Sequence, residues 1–238
     1  MKTRAKITML FAFFLVSTML NAQHFTTGLN FTLGKPQGEF KTNIDRNGYG
    51  GSLFFMAHAP NSPLAAGVEV GILNYGHESR SEPFSTTIPD VTVRVNTNNN
   101  AVLSSLFLRL QPQNGFIRPY IGGSIGFSYF YTETSIKDED SQDNEDIAST
   151  TNLDDAAFSY GGDFGASVLL YKNKATENSE IPRTFEVLFD FKARYLNSGE
   201  AEYLKEGSIR RENGEVTYDV SQSRTEMMTY HFGFLFRF

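Results

Sequence analysis

The sequence predicts an all-β fold: an eight-stranded antiparallel transmembrane β-barrel, an up-and-down meander preceded by a signal peptide. Three observations predict it. Apolar and polar residues alternate with period two in segments long enough to cross a bilayer, the connections alternate between tight and long, and no stretch after the amino-terminal segment is apolar enough for a spanning helix.

The amino-terminal segment carries Lys2, Arg4 and Lys6, an apolar run over 7–20, then Asn21-Ala22-Gln23. This is the layout of a secretory signal peptide, with cleavage expected after Ala22 and a barrel domain over 23–238. The apolar run is short for a membrane-anchoring helix, which needs about 20 residues. There is no cysteine to carry a lipoprotein's acyl group, and none for disulfides, thiol catalysis or thiolate metal sites. Losing 1–22 removes three basic groups and no acidic one from 21 Lys+Arg and 27 Asp+Glu, leaving a formal charge of −9. Nucleic-acid binding draws on clustered cations, so that class of partner is disfavoured.

Eight strands are expected over 25–33, 49–59, 64–75, 101–111, 116–132, 156–171, 183–195 and 225–238, with helical periodicity hard to find anywhere. Pro60-Asn61-Ser62-Pro63 and Pro112-Gln113-Asn114-Gly115 read as tight turns, whereas 76–100, 133–155 and 197–224 read as long polar loops. Short turns on the periplasmic side and long loops outside are the outer-membrane arrangement. The segment 172–182 is of medium length and is expected to turn.

The seventh strand shows the two faces most clearly. Phe185, Val187, Phe189, Phe191, Ala193 and Tyr195 lie on one side, and Glu186, Leu188, Asp190, Lys192 and Arg194 on the other. A soluble β-sandwich would bury the first set and a membrane barrel would turn it to lipid. Strand length, the connection pattern and the character of the polar faces favour the barrel. Its interior would then hold Glu69, Arg109, Arg118, Asp163, Glu186, Asp190, Lys192, Arg194 and Arg237, charges of both signs that can neutralise one another.

The final strand has aromatics at every even position from Tyr230 to Phe238, with His231, Arg237 and the other odd-numbered residues on the opposite face. Such a stripe invites aggregation in water and is stabilising in lipid. The strand resembles the last strand of outer-membrane barrel families, which bears an assembly signal: a polar residue, a glycine two positions on, and aromatics at the third-last and last positions. His231, Gly233, Phe236 and Phe238 match those slots. A second stretch, Phe116-Ile117-Arg118-Pro119-Tyr120-Ile121-Gly122-Gly123-Ser124-Ile125-Gly126, is similar to the Arg-Pro-Tyr strand opening and spaced glycines of OmpA-like small barrels and porin-family proteins. The resemblance implies a one-domain barrel of the OmpA and OmpX type, without a peptidoglycan-binding domain, and PorT-like barrels of a secretion system look similar in size. It also implies the barrel-assembly machinery as a partner in biogenesis, and outer-membrane lipid with lipopolysaccharide as the surroundings. Trp is absent, so the interfacial girdles must be built from Tyr and Phe.

The sequence offers little for catalysis. The histidines are His24, His58, His77 and His231. A lipid hydrolase needs His and Ser together with a carboxylate; His231 has no Ser two residues away in its strand, and Ser62 and Ser79 lie in turn or loop positions without a third partner. The acidic run with Asp138, Glu139, Asp140, Asp143, Glu145 and Asp146 suits a mobile surface loop, or a weak divalent-cation bridge to lipopolysaccharide phosphates, but lacks the glycine and terminal Glu of an EF-hand. No cofactor, catalytic residue or resident metal is expected. The functional expectation is a non-enzymatic barrel that anchors in the outer membrane and presents long loops for envelope integrity or surface binding. The alternatives are a narrow pore for ions or small solutes, or an accessory barrel of a secretion complex.

Overall fold

A computed structural model of the chain describes residues 24–85, 88–138, 146–173, 184–212 and 215–238. The expected signal peptide, most of the acidic run and residues 174–182 of the turn expected over 172–182 lie outside those residues. The elements are β1 (His24–Pro36), α1 (Gly38–Asn43), β2 (Gly48–His58), β3 (Leu64–Ser85), β4 (Ile88–Leu110), β5 (Ile117–Asp138), β6 (Asp146–Lys172), β7 (Glu186–Ser198), four short strands β8 (Glu200–Tyr203), β9 (Ile209–Glu212), β10 (Glu215–Tyr218) and β11 (Ser221–Arg224), and β12 (Met227–Arg237). Eight of these strands close into an antiparallel barrel in the order β1-β12-β7-β6-β5-β4-β3-β2. The seam pairs the first strand with the last, from Thr26 opposite Arg237 to Pro36 opposite Met227, so no barrel strand is left with an open edge inside the bilayer.

Alternation sets the faces. Along β12, Met227, Thr229, His231, Gly233, Leu235 and Arg237 are buried in the lumen while Phe232 and Phe234 are exposed. Around the outside Leu53, Ile121, Phe164 and Phe127 are among the most exposed residues, at 59–63%. A soluble domain does not leave a continuous ring of such side chains in water. The rings are segregated by height. Phe25, Phe55, Phe185, Phe236 and Phe238 stack near the end that holds both termini, and Tyr49, Tyr129, Tyr131, Tyr160, Tyr195 and Tyr230 lie toward the other end, with Tyr171 the exception. The phenol hydroxyls thereby reach a polar boundary, as a girdle requires.

Turn chemistry separates the strands at the terminus-bearing end. Asn61 takes a positive φ of 50° in the β2–β3 turn and Gly115 one of 122° in the β4–β5 turn, conformations that favour Asn and Gly. Gln113 Nε2 donates to the carbonyls of Ala59 and Ser62 at 2.7 Å each, tying these two turns together.

The structure corrects the expected element boundaries at the opposite end. The polar segments 76–100 and 133–155, expected as loops, are hydrogen-bonded strand over their described residues 76–85, 88–100, 133–138 and 146–155: β3 to β6 hold 22, 23, 22 and 27 residues, whereas a tilted strand crosses a bilayer in about 9–11. Their upper parts continue the sheet as a four-stranded wall beyond the barrel rim. Polarity is a poor guide here because Thr, Val, Ser and Ile hold β structure in water as well as in lipid. The loop expected over 197–224 contains two antiparallel strand pairs, β8 with β11 and, between them in sequence, β9 with β10. The expected absence of helix is also corrected: α1 spans six residues, too few for a periodic signal to register.

Candidate functional site

Three places on this frame gather chemistry: the lumen, the cap over its outer mouth, and the wall. The lumen is built by inward side chains from all eight barrel strands. Glu69 on β3 lies directly across the barrel from β7, four strands away in either direction. Lys192 Nζ donates to both its carboxylate oxygens at 2.7 Å, and Arg194 Nη2 to Oε2 at 2.7 Å. Ser52 Oγ donates to Oε1 at 3.0 Å. The result is an ionic strut across the full diameter. Asp163 Oδ2 lies 3.4 Å from Arg194 Nη2 and joins β6 to the strut.

A second layer sits lower. Asp190 accepts from Tyr120 OH at 2.8 Å and Ser167 Oγ at 2.7 Å, and the Arg109 guanidinium stacks 3.8 Å above the Tyr120 ring with Phe54 and Phe107 on its other flanks. At the terminus-bearing mouth Glu186 collects Arg118 at 2.7 Å, Lys172 at 2.9 Å and Arg237 at 3.6 Å. Thus Glu69, Arg109, Arg118, Asp163, Glu186, Asp190, Lys192, Arg194 and Arg237 all lie in the lumen, at most 5% exposed. Five cations face four carboxylates: Glu69, Asp163 and Glu186 pair directly with Lys192, Arg194, Arg118 and Arg237, which offsets their desolvation, while Arg109 rests on ring faces. The cavities left beside these groups have room for about one water molecule each.

The cap closes the outer mouth. Phe40 of α1 is fully buried, with its ring centroid 5.0 Å from Tyr203, 5.6 Å from Phe130 and 6.0 Å from Tyr75. Ile44, Leu73, Ala101, Ala157, Ala201 and Met227 complete this apolar cluster. Polar contacts lock α1 to the 199–226 segment: Gln37 N to Glu226 O at 2.9 Å, Arg224 N to Glu39 Oε2 at 3.2 Å, Asn43 Nδ2 to Tyr203 Oη at 2.8 Å, and Arg46 to Glu206 at 2.7 Å. The same segment grips the wall, where Gly207 N donates to Glu78 at 2.9 Å and Arg80 Nη1 to Ile209 O at 3.3 Å. Sequence reasoning missed Phe40 and Tyr203. The available signal was an isolated Phe in a polar segment directly after Gly38.

His231, Gly233, Phe236 and Phe238 fall on the terminal strand with alternating orientation: His231 and Gly233 inward, Phe238 outward. His231 has Ser52 Oγ 3.3 Å and the Glu69 carboxylate 3.6 Å from the same nitrogen, Nδ1, while Nε2 faces Thr229 at 3.0 Å. A hydrolytic relay needs nucleophile and carboxylate on opposite ring nitrogens, which excludes Ser52 as its nucleophile, and the Thr229 hydroxyl on Nε2 is fully buried where no substrate reaches it. This cluster instead packs the lumen between two closures. His58 Nε2 bonds Thr26 Oγ1 at 3.1 Å, His77 Nδ1 bonds Asn98 Oδ1 at 2.8 Å, and Ser62 Oγ accepts from Leu64 N. Among the described residues no three His, Asp or Glu side chains are grouped to hold a metal ion. A surface groove lies on the outside of the barrel over Gly123, lined by Leu108, Ile121, Ile125 and Tyr160.

No protein-family model and no curated protein matches the chain. It is similar to solved structures: Neisserial surface protein A at 11% identity over 90% of this chain and 95% of that one, with TM-score 0.40; a major outer membrane protein of Thermus thermophilus at 13%, 89% and 99%, TM-score 0.43; and the outer membrane protein OprG of Pseudomonas aeruginosa at 14%, 92% and 97%, TM-score 0.44. Similarity at this level assigns no family, and the barrel stands on its own strand pairing.

Proposed function

We propose that the chain is a non-enzymatic outer-membrane β-barrel, exported through a cleaved signal peptide, that anchors a closed lumen in the bilayer and presents a rigid extracellular wall and cap. The observation that carries this reading is the inverted polarity of the barrel: aromatic and aliphatic side chains outside, paired charges inside. That distribution is stable where the surroundings are lipid. The closed seam and the even number of barrel strands place both termini on one side, which is the periplasmic side in this reading. The His231-Gly233-Phe236-Phe238 pattern supports delivery by the barrel-assembly machinery, and lipopolysaccharide forms the outer-leaflet surroundings.

The pore alternative is opposed by two successive closures, the Phe40 cluster above and the Glu69 strut below. An eight-stranded barrel has a lumen that side chains just fill. Purified protein in planar bilayers is therefore expected to show no stable conductance steps; reproducible steps would sink the closed-lumen reading. Fractionation and surface proteolysis of expressing cells test the location. Folded protein in the outer membrane is expected, and its recovery from the inner membrane or as soluble protein would refute it.

A further inference from the structure

Over 94–110 the even-numbered side chains of β4 form one uninterrupted outer strip, because β4 pairs with β5 from Leu110 opposite Ile121 to Val93 opposite Asp138 without a register shift. From the periplasmic side upward the strip reads Leu110, Leu108, Leu106, Ser104, Val102, Asn100, Asn98, Asn96, Arg94. Three successive asparagines thus stand directly above the apolar belt, on the side of the wall that faces away from the cap. Their neighbours in the same rows are neutral hydrogen-bonding groups for the most part: Asn74 and Tyr131 beside Asn100, His77 and Glu133 beside Asn98, Ser79 and Ser135 beside Asn96. Within the rows Asn74 Nδ2 bonds Asn100 Oδ1 at 3.1 Å and His77 bonds Asn98 at 2.8 Å, so the amides are held in place. Tyr129 and Tyr131 stack at 5.7 Å at the foot of this field.

We propose that this outer wall face, centred on Asn96, Asn98 and Asn100, binds the saccharide core of the glycolipid in the surrounding outer leaflet; the proposal rests on the outer-membrane reading above. Continuity with the bilayer-facing belt names the occupant. A molecule whose acyl chains pack on Leu106, Leu108 and Ile125 carries its headgroup up the same strip to the asparagines. Side-chain amides both donate and accept and match the adjacent hydroxyls of a sugar ring, and a tyrosine face offers it an apolar platform. The opposite face of the same wall is committed elsewhere: Val93 and Val95 are buried, and Glu78 and Arg80 bond the cap. The row geometry suits a flat ligand lying along the wall, since successive outward residues on one strand stand about 7 Å apart.

The test uses protein purified from membranes of cells expressing the full chain and reconstituted in nanodiscs of phosphatidylethanolamine and phosphatidylglycerol. These are doped with either core-bearing lipopolysaccharide or lipid A lacking the core sugars, and retained glycolipid is counted by native mass spectrometry. Core-bearing lipopolysaccharide is expected to bind at least about fivefold tighter, the equivalent of one net hydrogen bond. The combined Asn96→Ala, Asn98→Ala, Asn100→Ala variant is expected to lose that preference while retaining lipid A and its heat-modifiable migration. Equal retention of both glycolipids by the parent, or an unchanged preference in the variant, overturns the proposal. Tight binding of the soluble core oligosaccharide alone also overturns it, by assigning the face to a free glycan. Failure of the outer-membrane reading would be seen separately, as failure to insert and acquire heat-modifiable migration in any bilayer.

Discussion

The lower and upper halves of β4 are one continuous strand with opposite polarity. Below Val102 the outward residues are Ser104, Leu106, Leu108 and Leu110 and the inward ones include Ser105 and Arg109; above Asn100 the outward residues are Asn98, Asn96 and Arg94 and the inward ones Asn99, Thr97, Val95 and Val93. Strand pairing runs straight through the crossover: β4 and β5 keep one register, while β3 bulges at Tyr75 against β4 and the β5–β6 pairing shifts between Thr132 and Glu133. The surroundings do change, from lipid outside and packed charge inside to water outside and the cap inside. Strand pairing therefore continues from one surrounding to the other, and the side-chain pattern, together with the two register shifts, records where the membrane surface lies, close to the row of Asn74, Asn100 and Tyr131.

The sharpest way to break the lower half is Glu69→Ala, which leaves Lys192 and Arg194 buried without their shared carboxylate. A loss of about 3–5 kcal/mol is expected in urea unfolding from vesicles. A double change of Glu69→Leu with Lys192→Met should recover part of that loss; no recovery would mean the strut is not a coupled unit. At the crossover, Phe40→Ala removes the ring that fills the cap cluster and is expected to cost about 3 kcal/mol. It should still give no conductance, because the strut beneath remains. Stable channels in this variant would show that the cap alone seals the barrel.

Next in size is a matched pair on the outer strip. Leu106→Arg, in the apolar belt, is expected to cost about 2–4 kcal/mol, and Asn98→Arg, just above the crossover, less than about 0.5. Equal costs would erase the proposed membrane boundary. The smallest contrast separates two glycines of β5 with different surroundings. A Cβ at Gly126 would stand 1.9 Å from Ser104 O, whereas one at Gly123 meets nothing closer than 3.8 Å. Gly126→Ala is therefore expected to destabilise by about 1–3 kcal/mol and Gly123→Ala to be neutral or slightly stabilising, read in the same unfolding assay.

Much of this was legible in the residues. Period-two alternation in β7 and β12 separates Phe189 and Phe191 from Asp190 and Lys192 without any knowledge of the partner strands, because successive side chains on a strand must point to opposite faces. The turns at Asn61 and Gly115 were legible for a similar local reason. Segments 76–100 and 133–155 were not. Their polarity is what a loop or a water-exposed strand would show, and only pairing between distant strands distinguishes the two. The six residues of α1 are too few to generate a helical period, and the burial of Phe40 depends on Tyr203, 163 positions later in the chain.

The amino-acid sequence by itself determined the barrel class, the two faces of its membrane strands and the set of charges on the polar face, since each follows from local alternation. The tertiary structure alone decided which charges meet. Glu69 faces Lys192 and Arg194 because closing eight strands brings β3 opposite β7, and no local pattern encodes that diameter. It likewise decided that the lumen is shut, because the first and last long connections interlock over it. Contacts of this kind are set by ring closure and chain return, which are properties of the whole fold.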